Sequence, residues 1–365
     1  MSDYQLIVIG AGPGGYTAAL EAARLGLHTA VVERREVGGT CLNRGCIPTK
    51  TLLHASQVYR DAVDGSPAGV HAGDITFNLG EMFAYKRAVS EKLRGGIHAL
   101  LKGAKVDLLE GTARIDAPGR VTVAGPEGDT VYTADRILAA TGSVPVRPPI
   151  PGLDLPGVMT SDELLEGSDS LYESLVIMGG GVIGVEFATF YANLGCRVTL
   201  IEGMDRLLPT MDRELGQNLG QILKKQGVEV LTSAMVRRVE QKQIDRINEL
   251  ARKAKTPEGL TVHVDQKGKE KAVSGEKVLC AIGRRPCWDG LFAPELVPET
   301  RGRSLLVDED FRTSIPGVYA IGDVSAVIQL AHVAAAQGIA CVNRMCGRQA
   351  ATDLNVVPSC IYSSP

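Results

Sequence analysis

The sequence predicts an α/β fold made of two Rossmann-like, three-layer ββα units. Three observations predict it. A strand–turn–helix–strand segment occurs twice, offset by 169 positions: Leu6 to Glu33 (LIVIGAGPGGYTAALEAARLGLHTAVVE) and Leu175 to Glu202 (LVIMGGGVIGVEFATFYANLGCRVTLIE). Each copy carries G-x-G-x-x-G, at Gly10, Gly12 and Gly15 and at Gly179, Gly181 and Gly184, with a Glu 23 positions after its first glycine. Segments that alternate apolar and polar residues around turn formers follow each copy, at Arg120–Arg136 and Leu260–Leu279, and read as β-structure.

Each repeat opens with a short continuous apolar run, the mark of a strand covered on both faces. The first glycine allows the tight turn out of that strand. The second lets the backbone approach a pyrophosphate, and the third lets helix and strand pack closely. The helix N-terminus then offers free N–H groups and partial positive charge to phosphates. The helical pattern ends in Leu25-Gly26 in one copy and Leu194-Gly195 in the other, and each second strand ends on its carboxylate, Glu33 or Glu202. A carboxylate there accepts from ribose hydroxyls. One such fingerprint is weak; two complete units predict two dinucleotide sites. Leu138–Gly142 (LAATG) reads as a small-residue strand end, Pro145–Gly157 as a proline-rich extended linker, and Gln241–Lys255 as a charged surface excursion. Gly317–Asp323 (GVYAIGD) reads as a strand closing on Gly-Asp, followed by an alanine-rich helix from Leu330 to Gly347.

A length of 365 residues suggests two or three domains. Net charge is −3, with 22% charged residues, which does not favour a nucleic-acid partner. No apolar run reaches membrane-span length. The N-terminus lacks the basic segment and apolar core of a signal peptide, so the expected location is cytoplasmic. Eight cysteines are too few for a disulfide scaffold, and in a reducing compartment a disulfide is more often catalytic than structural.

The cysteines that matter stand in Gly38–Lys50, GGTCLNRGCIPTK, directly after the first fingerprint. Cys41 and Cys46 are five residues apart in a Gly-rich approach to a helix. A cysteine pair beside a nucleotide pocket suits a redox cofactor that passes two electrons to a disulfide. Cys341 and Cys346 share that spacing but lie in a regular helical pattern, where residues five apart diverge. Cys196, Cys280, Cys287 and Cys360 read as packing residues. No metal-ligand constellation is predicted.

These residues resemble the flavin-dependent pyridine nucleotide–disulfide oxidoreductases over nearly the whole chain, and within them the dihydrolipoamide dehydrogenase type. The resemblance rests chiefly on Gly38, Gly39, Thr40, Cys41, Gly45, Cys46, Pro48 and Lys50. It implies FAD on the first fingerprint (Gly10, Gly12, Gly14, Gly15, Glu33) and NAD on the second. Cys46 is then the flavin-side thiol and Cys41 the interchange thiol of a Cys41–Cys46 disulfide. Lys50, one turn beyond Cys46, pairs with Glu186 and favours reduced, anionic flavin. Gly39, Thr40, Gly111, Thr141, Gly142, Asp323 and Ala331 are implied FAD contacts. Val236, Gly283 and the AIGR segment Ala281–Arg284 are implied nicotinamide-side contacts. His332 is not assigned as a base. Glu202 would repel a 2′-phosphate, which favours NAD over NADP even with Arg206 nearby.

The implied layout is an FAD-binding domain over 1–150 and 281–350, with an NAD-binding domain at 151–280 inserted. Residues 351–365 are expected to open a truncated interface domain. The family is homodimeric through that domain, which also carries a His–Glu acid–base pair. No His follows His332, so weak dithiol exchange is expected of this chain. The expected substrate is a small-molecule or lipoyl-domain dithiol. Alternatives are a glutathione reductase-like or mercuric reductase-like enzyme, or a non-catalytic flavoprotein subunit.

Overall fold

The first apolar run forms the strand Tyr4–Ile9, central in a parallel sheet. In the computed structural model, residues 2–65, 69–168, 170–241, 259–325, 328–349 and 353–363 are described; most of the charged excursion at Gln241–Lys255 lies outside them. Tyr4–Ile9 pairs with Thr29–Glu33 on one side and Gly128–Ala139 on the other, with Ile9 opposite Val32 and Ala139. Asp107–Glu110 and Val318–Ala320 extend the sheet, again in parallel. The strand Gly128–Ala139 also runs antiparallel to Arg120–Gly125, which pairs with Thr112–Ala117.

Alternation along the central strand sorts the layers, because successive side chains point to opposite faces. Leu6 and Val8 join an apolar cluster with Ala18, Ala19 and Ala22 of the helix Pro13–Arg24 and with Ala340–Val342 of the helix Ala331–Met345. Ile7 and Ile9 join the opposite cluster, with Ile115, Val121 and Val123 of the antiparallel strands. Helices, parallel sheet and β-meander thus form the three layers. The two helices meet at a glycine crossing: a Cβ on Gly338 would stand 2.5 Å from the Gly14 carbonyl oxygen.

The second repeat builds the same architecture. Its parallel sheet runs Glu229–Leu231, Arg197–Ile201, Ser174–Met178, Lys277–Cys280, Val158–Thr160. Leu175 and Ile177 face the helical side with Val185 and Ala188 of the helix Val182–Asn193. Val176 and Met178 face Val239, Val262 and Val273, from the antiparallel strands Ala234–Gln241, Leu260–Gln266 and Lys269–Gly275.

Contacts divide the chain into two compact units: Met1–Ile47 with Ala88–Val144 and Arg284–Pro358, and Pro48–Arg87 with Pro145–Gly283 and Ser359–Pro365. The expected inserted segment, 151–280, falls within the second. Pro48–Arg87, expected with the first, groups instead with the second. The reason is burial: Leu52, Leu53, Leu79 and Phe83 belong to the same apolar cluster as Phe187, Phe190 and Tyr191. Residues 353–358 group with the first unit and 359–363 with the second, without regular secondary structure. Among the described residues no helix is long and apolar enough to cross a membrane, and no His, Cys, Asp and Glu group is placed to hold a metal.

Candidate active site

In the first unit the chain leaves the central strand through Gly10, whose φ of +103° belongs to glycine. Gly15 packs so tightly on this turn that a Cβ would lie 1.8 Å from the Gly10 carbonyl oxygen. Gly12 is the N-cap of the following helix and offers no side-chain cap, so no cap side chain satisfies the first-turn N–H groups. Gly39 crosses this turn closely: its Cβ would stand 2.6 Å from the Gly12 Cα. The Gly38 N–H donates to the Ala11 carbonyl at 2.8 Å, which ties the cysteine-bearing segment to the fingerprint.

Glu33 is held at the strand end. Its Oε2 accepts from the Ala11 N–H at 2.8 Å and its Oε1 from the Arg35 N–H at 2.9 Å. The Gly111 N–H donates to the Glu33 carbonyl at 3.0 Å. The Thr141 hydroxyl, beside Gly142 at the strand end, is buried with no hydrogen-bond partner among the described residues. An orphaned hydroxyl costs free energy unless something pairs with it. A pyrophosphate-bearing nucleotide fits this set: an uncapped helix end, a cradle without side chains, a held carboxylate and a donor in want of an acceptor.

Cys41 lies in the short helix Gly39–Asn43 and Cys46 opens the helix Cys46–Asp64. The chain turns back between them: a Cβ on Gly45 would stand 3.0 Å from the Thr40 carbonyl oxygen and 3.4 Å from the Cys41 Cα. Cys41 is half-buried and Cys46 exposed. Asn43 stiffens the turn, its amide donating to the Val37 and Gly39 carbonyls at 3.0 and 2.9 Å.

Asp323 sits on the 3-10 turn Gly322–Val324. The Ser143 hydroxyl donates to its Oδ2 at 2.6 Å, and Arg284 Nε donates to that hydroxyl at 2.8 Å. Burial pushes the Asp323 carboxyl up, against the Ser143 hydrogen bond and the Arg284 charge. Ala331 is the first residue of a helix whose N-cap, Leu330, has no side-chain cap. His332 Nε2 lies 3.0 Å from the Pro358 carbonyl oxygen.

The second unit repeats the cradle. A Cβ on Gly184 would lie 1.9 Å from the Gly179 carbonyl oxygen, and Gly181 is an N-cap without a side-chain cap. Glu202 is buried. Its Oε2 accepts from the Gly180 N–H and its Oε1 from the Met204 N–H, each at 2.7 Å. Arg206 binds Asp205 at 3.1 Å and the Pro209 carbonyl at 3.0 Å. Val236 lies on the strand Ala234–Gln241 at a register shift, and the Gly283 carbonyl accepts from the Val146 N–H at 3.0 Å. This unit also brings Lys50 and Glu186 together: Nζ stands 2.6 and 2.8 Å from the two carboxylate oxygens. Glu186 is buried on its helix.

Ser143 and Tyr362 stand outside every residue set expected from the sequence. Ser143 follows Thr141-Gly142, so the strand-end motif pointed to its neighbourhood. Tyr362 carries no spacing signal. The other cysteines separate by burial. Burial drives the Cys196 thiol up to about 12 and the Cys280 and Cys341 thiols upward. Two expected packing residues are not buried: Cys360 is exposed, and half-buried Cys287 accepts from Arg34 at 3.3 Å.

The sequence profile of the pyridine nucleotide-disulphide oxidoreductase family matches residues 4–338. The chain is 38% identical over 377 residues to the dihydrolipoyl dehydrogenase of Bacillus subtilis (strain 168), covering 100% of this chain and 76% of that protein. It is 38% identical over 348 residues to the dihydrolipoyl dehydrogenase of Acholeplasma laidlawii, covering 94% and 96%. Among solved structures, the Cu(II) complex of the HOCl-induced flavoprotein disulfide reductase RclA from Escherichia coli superposes with a TM-score of 0.80 at 30% identity, covering 96% of this chain and 73% of that one.

Proposed function

The chain belongs to the pyridine nucleotide-disulphide oxidoreductase family, and from that premise we propose that it is an FAD-dependent dithiol–disulfide oxidoreductase of the dihydrolipoyl dehydrogenase type. The observation that carries the reading is the crossing of Gly39 over Gly12, which lays the cysteine segment across the first fingerprint.

In this reading Cys41 and Cys46 form the exchangeable disulfide. A substrate thiolate attacks the Cys41 sulfur, the Cys41–Cys46 bond breaks, and Cys46 leaves as a thiolate. The second substrate thiolate attacks the substrate sulfur of the mixed disulfide, and Cys41 leaves. The substrate dithiol has passed two electrons to the cysteine pair, and its two protons, released as each attacking thiolate forms, go to solvent or to the departing Cys41 and Cys46 thiolates. FAD on the first fingerprint and NAD(H) on the second supply the redox partners that reset the pair. The remaining work belongs to the protein. Gly10, Gly12, Gly14 and Gly15 cradle pyrophosphate, Glu33 accepts from ribose, and Gly39, Thr40, Gly111, Thr141, Gly142, Asp323 and Ala331 orient the flavin nucleotide. Lys50, held as an ammonium by its pairing with Glu186, favours reduced, anionic flavin.

Gly179, Gly181, Gly184, Val236 and Gly283 serve the nicotinamide nucleotide. Glu202, kept in place by two backbone donors, repels a 2′-phosphate and selects NAD. We assign the flavin nucleotide to the domain made of 1–150 and 281–350, and the nicotinamide nucleotide to 151–280. A lipoyl dithiol is the proposed substrate, the cytoplasm the proposed location and a homodimer the proposed working form.

The test is anaerobic titration of FAD-loaded protein with NADH, followed by alkylation under denaturing conditions. Positions 41 and 46 are expected to resist alkylation before NADH and to accept it afterwards. Equal alkylation before and after would refute the assignment of the pair.

A further inference from the structure

We propose that Tyr362 is a positioning residue of the redox site, holding the Lys50 ammonium through its ring face and the Glu186 carboxylate through its backbone. The proposal rests on the reading of Lys50 as the flavin-side cation. Lys50 Nζ stands 5.0 Å from the centroid of the Tyr362 ring, within cation–π range. The Tyr362 N–H donates to Glu186 Oε1 at 3.3 Å, the same oxygen that lies 2.6 Å from Lys50 Nζ. One residue therefore touches both members of the pair, and the ammonium is gripped by a carboxylate on one side and a π face on another.

The grip matters because the Lys50 side chain is 30% exposed on a flexible four-carbon stem. Solvent competes for its ammonium, and the carboxylate alone leaves the stem free to swing about its oxygens. The ring removes part of that freedom. The ring is itself 53% exposed, so core packing does not account for its position. Its neighbour Ile361 packs against the apolar cluster containing Phe187 and Phe190 and anchors the segment.

The test reads Lys50 directly, on flavin-free protein. Lysines are labelled with an acetylating ester at fixed pH and quantified peptide by peptide, with Lys271 as internal reference. A cation over a partly exposed ring is favoured about two- to five-fold. Tyr362→Ala and Tyr362→Leu are expected to label at Lys50 by about that factor faster than the parent, and Tyr362→Phe at the parent rate. Parent-rate labelling in both the Ala and Leu variants overturns the proposal. The midpoint potential of FAD-loaded Lys50→Ala separates the premise from the inference. A fall supports Lys50 as the flavin-side cation; an unchanged potential overturns that reading and the redox part of the proposal with it, whatever the labelling shows.

Discussion

Asp323 shows what a buried carboxyl costs the fold. Burial raises its carboxyl pKa, only partly offset by Ser143 and Arg284. A carboxyl raised on folding contributes stability fully present below its unfolded value, and that stability is lost as pH rises through the folded value. The ionised group is therefore a liability at neutral pH in flavin-free protein. Asp323→Asn is expected to raise the melting temperature of flavin-free protein at pH 7, with the gain vanishing below the unfolded carboxyl range, and to weaken FAD binding. Melting curves at both pH values with a flavin titration check this; a lower melting temperature at pH 7 would contradict it. The motif GVYAIGD made Asp323 legible. Ser143 and Arg284 were not legible as its partners, because Ser143 lies 180 positions from Asp323 and 141 from Arg284 and nothing local encodes their meeting.

At the scale of the element, the second fingerprint separates packing from binding. Gly184 has no room for a Cβ, which would lie 1.9 Å from a backbone oxygen, whereas a Cβ on Gly181 meets nothing within 4 Å. Gly184→Ala is expected to cost about 3 kcal/mol, the upper part of the overpacking range, since backbone must shift. Gly181→Ala, at an N-cap where alanine is disfavoured, is expected to cost only about 1 kcal/mol in denaturant unfolding while losing nicotinamide nucleotide affinity, because its methyl occupies the pyrophosphate approach. Equal stability loss in both would contradict the division. The tight packing of Gly184 was readable from spacing, because the geometry of a strand–turn–helix unit is local. The helix Cys46–Asp64 was readable as a helix but not in its allegiance. Its Leu52 and Leu53 are apolar residues that any core could take; tertiary packing placed them in the second unit's core.

At the scale of the whole molecule, each unit is stitched from distant stretches of chain. Ile9 lies opposite Ala139, and Ala139 opposite Ala320. Such pairings must close long loops before they gain contacts, and they slow folding. Refolding from urea is expected to be multiphasic, with Trp288 fluorescence recovering after the helical circular dichroism signal. Trp288 serves as reporter because it is the single tryptophan and its indole N–H is pinned to the Arg303 carbonyl at 2.8 Å. Coincident single-exponential recovery by both probes would contradict the expectation.

By itself the sequence determined the repeat, the two glycine cradles, the strand-end carboxylates and the Gly-rich cysteine segment. All follow from short-range constraints: where a Cβ has no space, where a strand must alternate, where the N–H groups of a helix N-terminus need acceptors. Only the tertiary structure decided that Pro48–Arg87 packs with the second unit, that Ser143 and Arg284 back Asp323, and that Tyr362 meets the Lys50–Glu186 pair. These depend on the path of the whole chain, since apolar burial is non-directional and a polar side chain accepts whatever partner the fold delivers.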